Sequence, residues 1–180
     1  MIILLQGPPG SGKTTLASKL SKELGILHIS KDELKETFFD SIGCDDPELS
    51  RKLGMVSNKI LFKIIEKASN NSNHIMIESN FDPELGKIDL ENAIKGKQIN
   101  VVEIFLSAPN ETLISRFENR WNSGERHRGH VDNLRFGDLR EFLEEKPRPI
   151  SISNNIIEIC TDNSPEAVFQ EAFEKINIFV

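Results

Sequence analysis

Cysteine is scarce in this chain: Cys44 and Cys160 are the only two among 180 residues. They stand far apart, with no spacing that would build a metal site. Cys160 closes an apolar run and is expected as a buried thiol, which suits a reducing cytosol. Long hydrophobic runs are missing as well. No stretch approaches the roughly 20 apolar residues needed to cross a bilayer. The opening MIILLQG is about half a signal-peptide core, with no basic segment before it. The chain is therefore read as soluble and cytoplasmic, without a membrane partner. Positive charge is short too: 22 Lys and Arg face 28 Asp and Glu, a net charge of −6. That balance excludes an electrostatic binder of duplex nucleic acid, which must neutralise many phosphates. A nucleotide, or one nucleic-acid end held in a local basic pocket, stays compatible. Repeats, low-complexity tracts and breaks in composition are also lacking, so residues 1–180 read as one domain of ordinary size. Oligomeric state is not legible.

What is present begins with MIILLQ at residues 1–6, a continuous apolar run that fits a central parallel strand covered on both faces. Leu16, Leu20 and Leu24 then recur every fourth residue until Gly25, the stripe of a helix. A short strand is expected over 26–29. Ser30-Lys31-Asp32-Glu33 has the form of a capping box, opening a helix to about Ile42. Residues 48–70 follow as a helix with Leu61, Ile64, Ile65 and Ala68 on one side, ended by the polar NNSN tract. HIMIE (74–78) is a further strand, and Asp82-Pro83-Glu84 a helix start. NVVEIFL (100–106) is a strand, and Pro109 opens a helix with Leu113 and Phe117 inward. NIIEIC (155–160) is the last strand, before a helix capped by Ser164. This alternation predicts an α/β fold, a five-stranded parallel sheet with helices on both faces. The aperiodic segment 122–137, rich in Gly, Arg and His, is long enough for a lid.

Gly7-Pro8-Pro9-Gly10-Ser11-Gly12-Lys13-Thr14 is a complete P-loop pattern, placed after a strand and before a helix. Glycines let main-chain N–H groups approach phosphate oxygens, and the helix N-terminus points its positive dipole end at the same anion. Lys13 suits the β- and γ-phosphates of ATP, Thr14 suits Mg²⁺, and Thr15 completes the loop. Asp32 falls where the second strand exits into the crevice of an open parallel sheet. It can orient or accept the proton of a substrate hydroxyl. The same residue also fits a purely structural role, since an acid in a first helical turn is stabilised by the dipole. Glu78 ends another strand and can hold the metal's water shell, a contact that Asp32 can equally supply. Asn80 is expected to hydrogen-bond the acceptor.

Arg116 and Arg120 share one helix face, and Arg126 and Arg128 follow in a glycine-flanked loop. The region 116–137 reads as a lid whose guanidinium groups cover phosphates, with Arg120 and Arg126 acting in catalysis, Arg116 on the nucleotide and Arg128 on the acceptor. His127 and His130 either touch the acceptor or face solvent.

With GPPGSGKT, SKDELKETFFD, IESNFDP, RFENRWNSGERHRGHVD and TDNSPE in this order, the chain resembles P-loop kinases grouped with zeta toxins, chloramphenicol phosphotransferase and the kinase domain of polynucleotide kinase. It looks closest to bacterial AAA-type ATP-binding proteins of that group. The resemblance implies that Asp32 is the base, that Arg116, Arg120 and Arg126 contact adenine and phosphates, and that residues 162–165 pass the adenine ring. It also implies ATP and Mg²⁺. It does not carry over the identity of the acceptor. Phosphotransfer to a hydroxyl of a small molecule or nucleic-acid end is the leading reading. An NTPase that drives a conformational change, or a nucleotide sensor without turnover, remains the alternative.

Overall fold

Five parallel strands form one sheet in the order β2-β3-β1-β4-β5. The computed structural model describes residues 1–43, 46–71, 73–134 and 136–179; Cys44 lies outside them. The strands are β1 (Ile2–Gln6), β2 (Leu27–Ser30), β3 (Ile75–Glu78), β4 (Val101–Ser107) and β5 (Ile156–Cys160). The helices are α1 (Lys13–Leu24), α2 (Lys31–Ile42), α3 (Pro47–Asn70), α4 (Leu85–Ile94), α5 (Asn110–Asn122), α6 (Phe136–Glu144) and α7 (Pro165–Ile176).

The apolar run of β1 follows from its central place. Side chains alternate across a strand, so Ile3 and Leu5 pack with α1 and α7 on one face. Ile2 and Leu4 pack with α3 and α4 on the other. All four are fully buried. Because β3 and β4 flank β1 on opposite sides, the chain reverses direction of winding beside it, and a crevice opens at the strands' carboxyl ends. Gln6, Ser30, Glu78 and Ser107 end four of these strands.

Local chemistry sets the helix ends. The Ser30 hydroxyl accepts from the Asp32 amide at 3.2 Å, and Ser164 does the same for Ala167 at 3.3 Å. Asp82 Oδ1 accepts from the amides of Glu84 and Leu85. It organises a turn before α4, so the helix expected from Asp82-Pro83-Glu84 begins at Leu85.

Two expectations change. The described residues of 122–137 are not structureless: they include 3-10 turns at Arg128–His130 and Asp132–Leu134, and α6 starts at Phe136. Leu139 and Leu143 of α6 pack on Leu113, Ile114 and Phe117 of α5, a stripe of only two turns that is too short to announce a period. Cys160 is exposed, not buried. As an edge strand, β5 covers one face only, so Ile157 and Ile159 turn inward while Glu158 and Cys160 turn out.

Glu103, in mid-β4, is fully buried. Its carboxylate accepts from Gln6 Nε2 at 2.9 Å and from the amides of Ser151, Ile152 and Ser153 at 3.0, 2.7 and 2.9 Å. Gln6 Oε1 accepts from the Ile150 amide at 3.1 Å. This pair fixes the segment leading to β5 against the sheet. Buried polar groups need such partners.

Candidate functional site

The loop between β1 and α1 bends through left-handed backbone at Gly10 and Gly12, with φ of 80° and 81°. A Cβ on Gly10 would also lie 2.6 Å from the Leu113 carbonyl oxygen. Only glycine meets both demands. Lys13 Nζ curls back to donate to the carbonyls of Gly7 and Pro8, each at 2.9 Å. Burial lowers the Lys13 pKa to about 8, against the opposing pull of Glu78 and Asp32. Among the described residues, the buried Ser11 Oγ and Arg120 Nε meet no hydrogen-bond partner. A loop turned by left-handed glycines, a poised lysine and the orphaned Arg120 Nε fit a polyphosphate.

Thr14 Oγ1 donates to Glu78 Oε1 at 2.7 Å, and His28 Nε2 lies 3.0 Å from Glu78 Oε2. Glu78 is only 4% exposed, at the end of β3 beside β1. A hydroxyl and a carboxylate meeting at the helix N-terminus are the hard oxygen donors that Mg²⁺ takes.

Asp32 sits in the first turn of α2, and its Oδ2 receives Arg126 Nη1 at 2.9 Å. Burial pushes its carboxyl up, but Arg126, His130 and Lys31 outweigh this and hold it well below the usual carboxylate range. Arg126 also donates from Nε to Asp132 Oδ2 at 2.9 Å. Burial works against the Arg126 charge, and Asp32 and Asp132 overcome it, raising its pKa.

The acids of α2 recur every fourth residue and so share a face. Asp32 meets Arg126, Glu36 meets His130 Nε2 at 2.9 Å, and Asp40 meets His127 Nε2 at 3.1 Å. Both histidines fasten the segment to α2, His127 half-buried and His130 buried. His130 is 2% exposed, and burial lowers its pKa against the pull of Glu36. Gly129 lies flat on Phe39: a Cβ there would stand 2.4 Å from the ring.

These elements enclose a cleft of about 420 Å³. Pro9, Gly10, Gly12, Lys13, Thr14 and Thr15 form its phosphate-loop side, and Asp32, Glu78 and Asn80 form another wall. Arg116, Arg120 and Arg126 also line it. Arg116 donates to Thr161 Oγ1 and O at 3.2 and 2.8 Å, beside residues 162–165. Arg120 approaches Asp132 at 3.8 Å. Gly7 and Pro8 stand behind the loop at the end of β1, with Ser11 buried beneath it. Arg128, expected on the acceptor, is exposed and does not line the cleft. Its turn is seated through His127, Gly129 and His130, which leaves the intervening side chain outward.

Sequence reasoning missed Lys31, Lys35 and Glu36 in the cleft wall and the lid contacts. Glu36 and Asp40 had a signal in their spacing from Asp32. Lys35 had none, because its burial depends on α3.

A parallel α/β sheet with a complete phosphate loop at its central strand is a P-loop fold. Residues 2–145 match the AAA domain model AAA_33, and the chain belongs to that family. A cytidylate kinase of Sulfurisphaera tokodaii is 39% identical over 82 residues, 44% of this chain and 45% of that protein. An adenylate kinase of Carboxydothermus hydrogenoformans is 29% identical over 128 residues, 67% of this chain and 59% of that protein. The chain thus spans about half the length of these curated relatives. A solved structure from Chloroflexus aurantiacus, provisionally described as a kinase, is 26% identical, with a TM-score of 0.86 over 97% of each chain. Among the described residues, no helix is long and apolar enough to cross a membrane.

The Lys13 shift has a signed consequence. Between about 8 and the ordinary 10.5, the unfolded chain holds more protons at this lysine than the folded one, so Lys13 makes stability rise with pH across that window. Phosphate needs the charged form. Nucleotide affinity should therefore fall as pH rises through about 8, by up to about tenfold per unit. Calorimetric titration of ATP–Mg²⁺ from neutral to alkaline pH tests this, and Lys13→Met should bind weakly with a flat profile.

Proposed function

We propose that the chain is an ATP-dependent phosphotransferase acting on a hydroxyl of a small molecule. The observation that carries this reading is Asp32 standing on the wall of the same cleft as Lys13, Thr14 and Glu78. The cleft volume of about 420 Å³, already shared with the phosphate loop, favours a metabolite over a nucleic-acid end.

Bound Mg²⁺-ATP supplies the γ-phosphoryl group and a divalent charge at Thr14 and Glu78. The acceptor oxygen forms its bond to γ-phosphorus as the bond to the bridging oxygen breaks, ADP leaves, and the hydroxyl proton passes by way of Asp32 to solvent. Asp32 is a weak base, and a loose transition state asks mainly for positioning. Lys13 and Arg120 face the phosphates, while Arg126 aligns Asp32. Arg116 holds the nucleotide side with residues 162–165, and Asn80 the acceptor side. In this reading residues 116–137 are a lid on a single kinase-like domain that works in the cytoplasm. The acid after β2 and the arginine lid suit the group of zeta toxins, chloramphenicol phosphotransferase and polynucleotide kinase.

Single-turnover reactions with [γ-³²P]ATP against a panel of hydroxyl compounds test the proposal. Label on an acceptor is the expected result. Phosphate release without labelled acceptor would favour an NTPase, and binding without turnover a sensor.

A further inference from the structure

The second face of α2 carries the opposite charge. Lys31 and Lys35, four residues apart, share a face toward α3 and the end of β3, with Lys31 still close enough to help lower the Asp32 pKa. Lys31 Nζ donates to Asn80 Oδ1 at 3.2 Å. Lys35 Nζ donates to Ser50 Oγ at 2.8 Å and lies 5.2 Å from the centre of the Phe39 ring. Lys35 is only 5% exposed, yet both lysines line the cleft. Their stems run across Gly54 of α3: a Cβ there would stand 3.7 Å from Lys31 Cε and 3.8 Å from Lys35 Cε. The adjoining wall is polar and neutral, with Ser79 Oγ donating to Asn58 Oδ1 at 3.3 Å.

We infer that the acceptor is a hydroxylated anion, whose phosphate or carboxylate is held by Lys31 and Lys35 while its hydroxyl meets Asp32. The inference rests on the kinase reading and deepens it. Two lysines converging on one compartment form a point-charge site of the kind that holds phosphate. Asp32 lies between them in sequence, and its carboxylate meets Arg126. An anion seated on the lysines therefore has its far end directed along α2 to the carboxylate. Lys31 and Lys35 stand on α2, and the phosphate loop lies between β1 and α1, so nucleotide and acceptor anion can take different walls of the one cleft.

The test fills the phosphate loop first. Protein saturated with Mg²⁺ and a non-hydrolysable ATP analogue is titrated calorimetrically with inorganic phosphate and, separately, with acetate. At least one anion should bind, and the stronger arm identifies the head group. Lys31→Met should weaken that binding at least tenfold with the analogue's own affinity near wild type. Lys35→Met should act likewise, with Lys35→Arg restoring binding and controlling for the fold. Absence of anion binding, or wild-type binding by both Met variants, overturns the inference. In the labelling assay, a neutral acceptor preferred over anions overturns it and leaves the kinase reading intact. Anion binding that depends on the lysines, with no label on any acceptor, supports the anion site and overturns the kinase reading.

Discussion

Asp32→Asn should slow single-turnover phosphoryl transfer by about 10²–10⁴-fold, with nucleotide affinity near wild type. The amide retains the size of the carboxylate but loses its charge and its second acceptor oxygen. A substrate hydroxyl is then neither drawn into line nor relieved of its proton. The effect should be separable from folding. Ser30 caps α2 through the main-chain amide of residue 32, which the substitution leaves in place. The lost first-turn charge costs only about 0.3–1 kcal/mol. The ion pair with Arg126 also disappears, but Asp132 still holds that guanidinium at 2.9 Å. Rapid-quench measurement beside a thermal melt decides the matter. A folded variant that transfers at a near wild-type rate would remove Asp32 from the chemistry.

Glu103→Ala should be the most destabilising single change outside the apolar core. It strands the Gln6 amide and the main-chain amides of Ser151, Ile152 and Ser153, all now directed at one buried carboxylate. An unmet buried donor costs about 1–3 kcal/mol. Relaxation and entering water keep the total below four full penalties, so a loss of about 3–5 kcal/mol is expected, the scale of breaking a buried charged network. For a chain of this size that lowers Tm by about 10 °C. Glu103→Gln should fall between, since one oxygen still accepts while the new NH₂ faces donors. Chemical denaturation of the three proteins provides the measurement. A loss below 1 kcal/mol for the Ala variant would mean that water already serves these amides.

Neither Glu103 nor its role was legible in NVVEIFL, where it reads as one polar interruption of a strand. Its main-chain partners arrive about fifty residues later, and Gln6 lies 97 residues before it. By contrast, the fold was legible because its signals are local. The MIILLQ run, the glycine pattern, the fourfold leucines of α1 and the serine caps each act within a few residues. The phosphate loop was readable for the same reason. Cys160 misled because an edge strand and a central strand differ only in what covers their second face. The cleft's other walls depend on contacts between distant segments: Arg126 with Asp32, His130 with Glu36, Arg116 with Thr161. Charged residues in 116–137 suggested a lid there. They did not announce that α2 already supplies a matching row of acids.

The contact of Gly129 with the Phe39 ring has a mechanical meaning of its own. It is a shim of zero thickness between two surfaces pressed together. Each carbon added at this position acts as a wedge, prising the turn at Arg128–His130 from α2 by an amount set by its bulk. The spacing between the turn and α2 is thus written into one hydrogen atom.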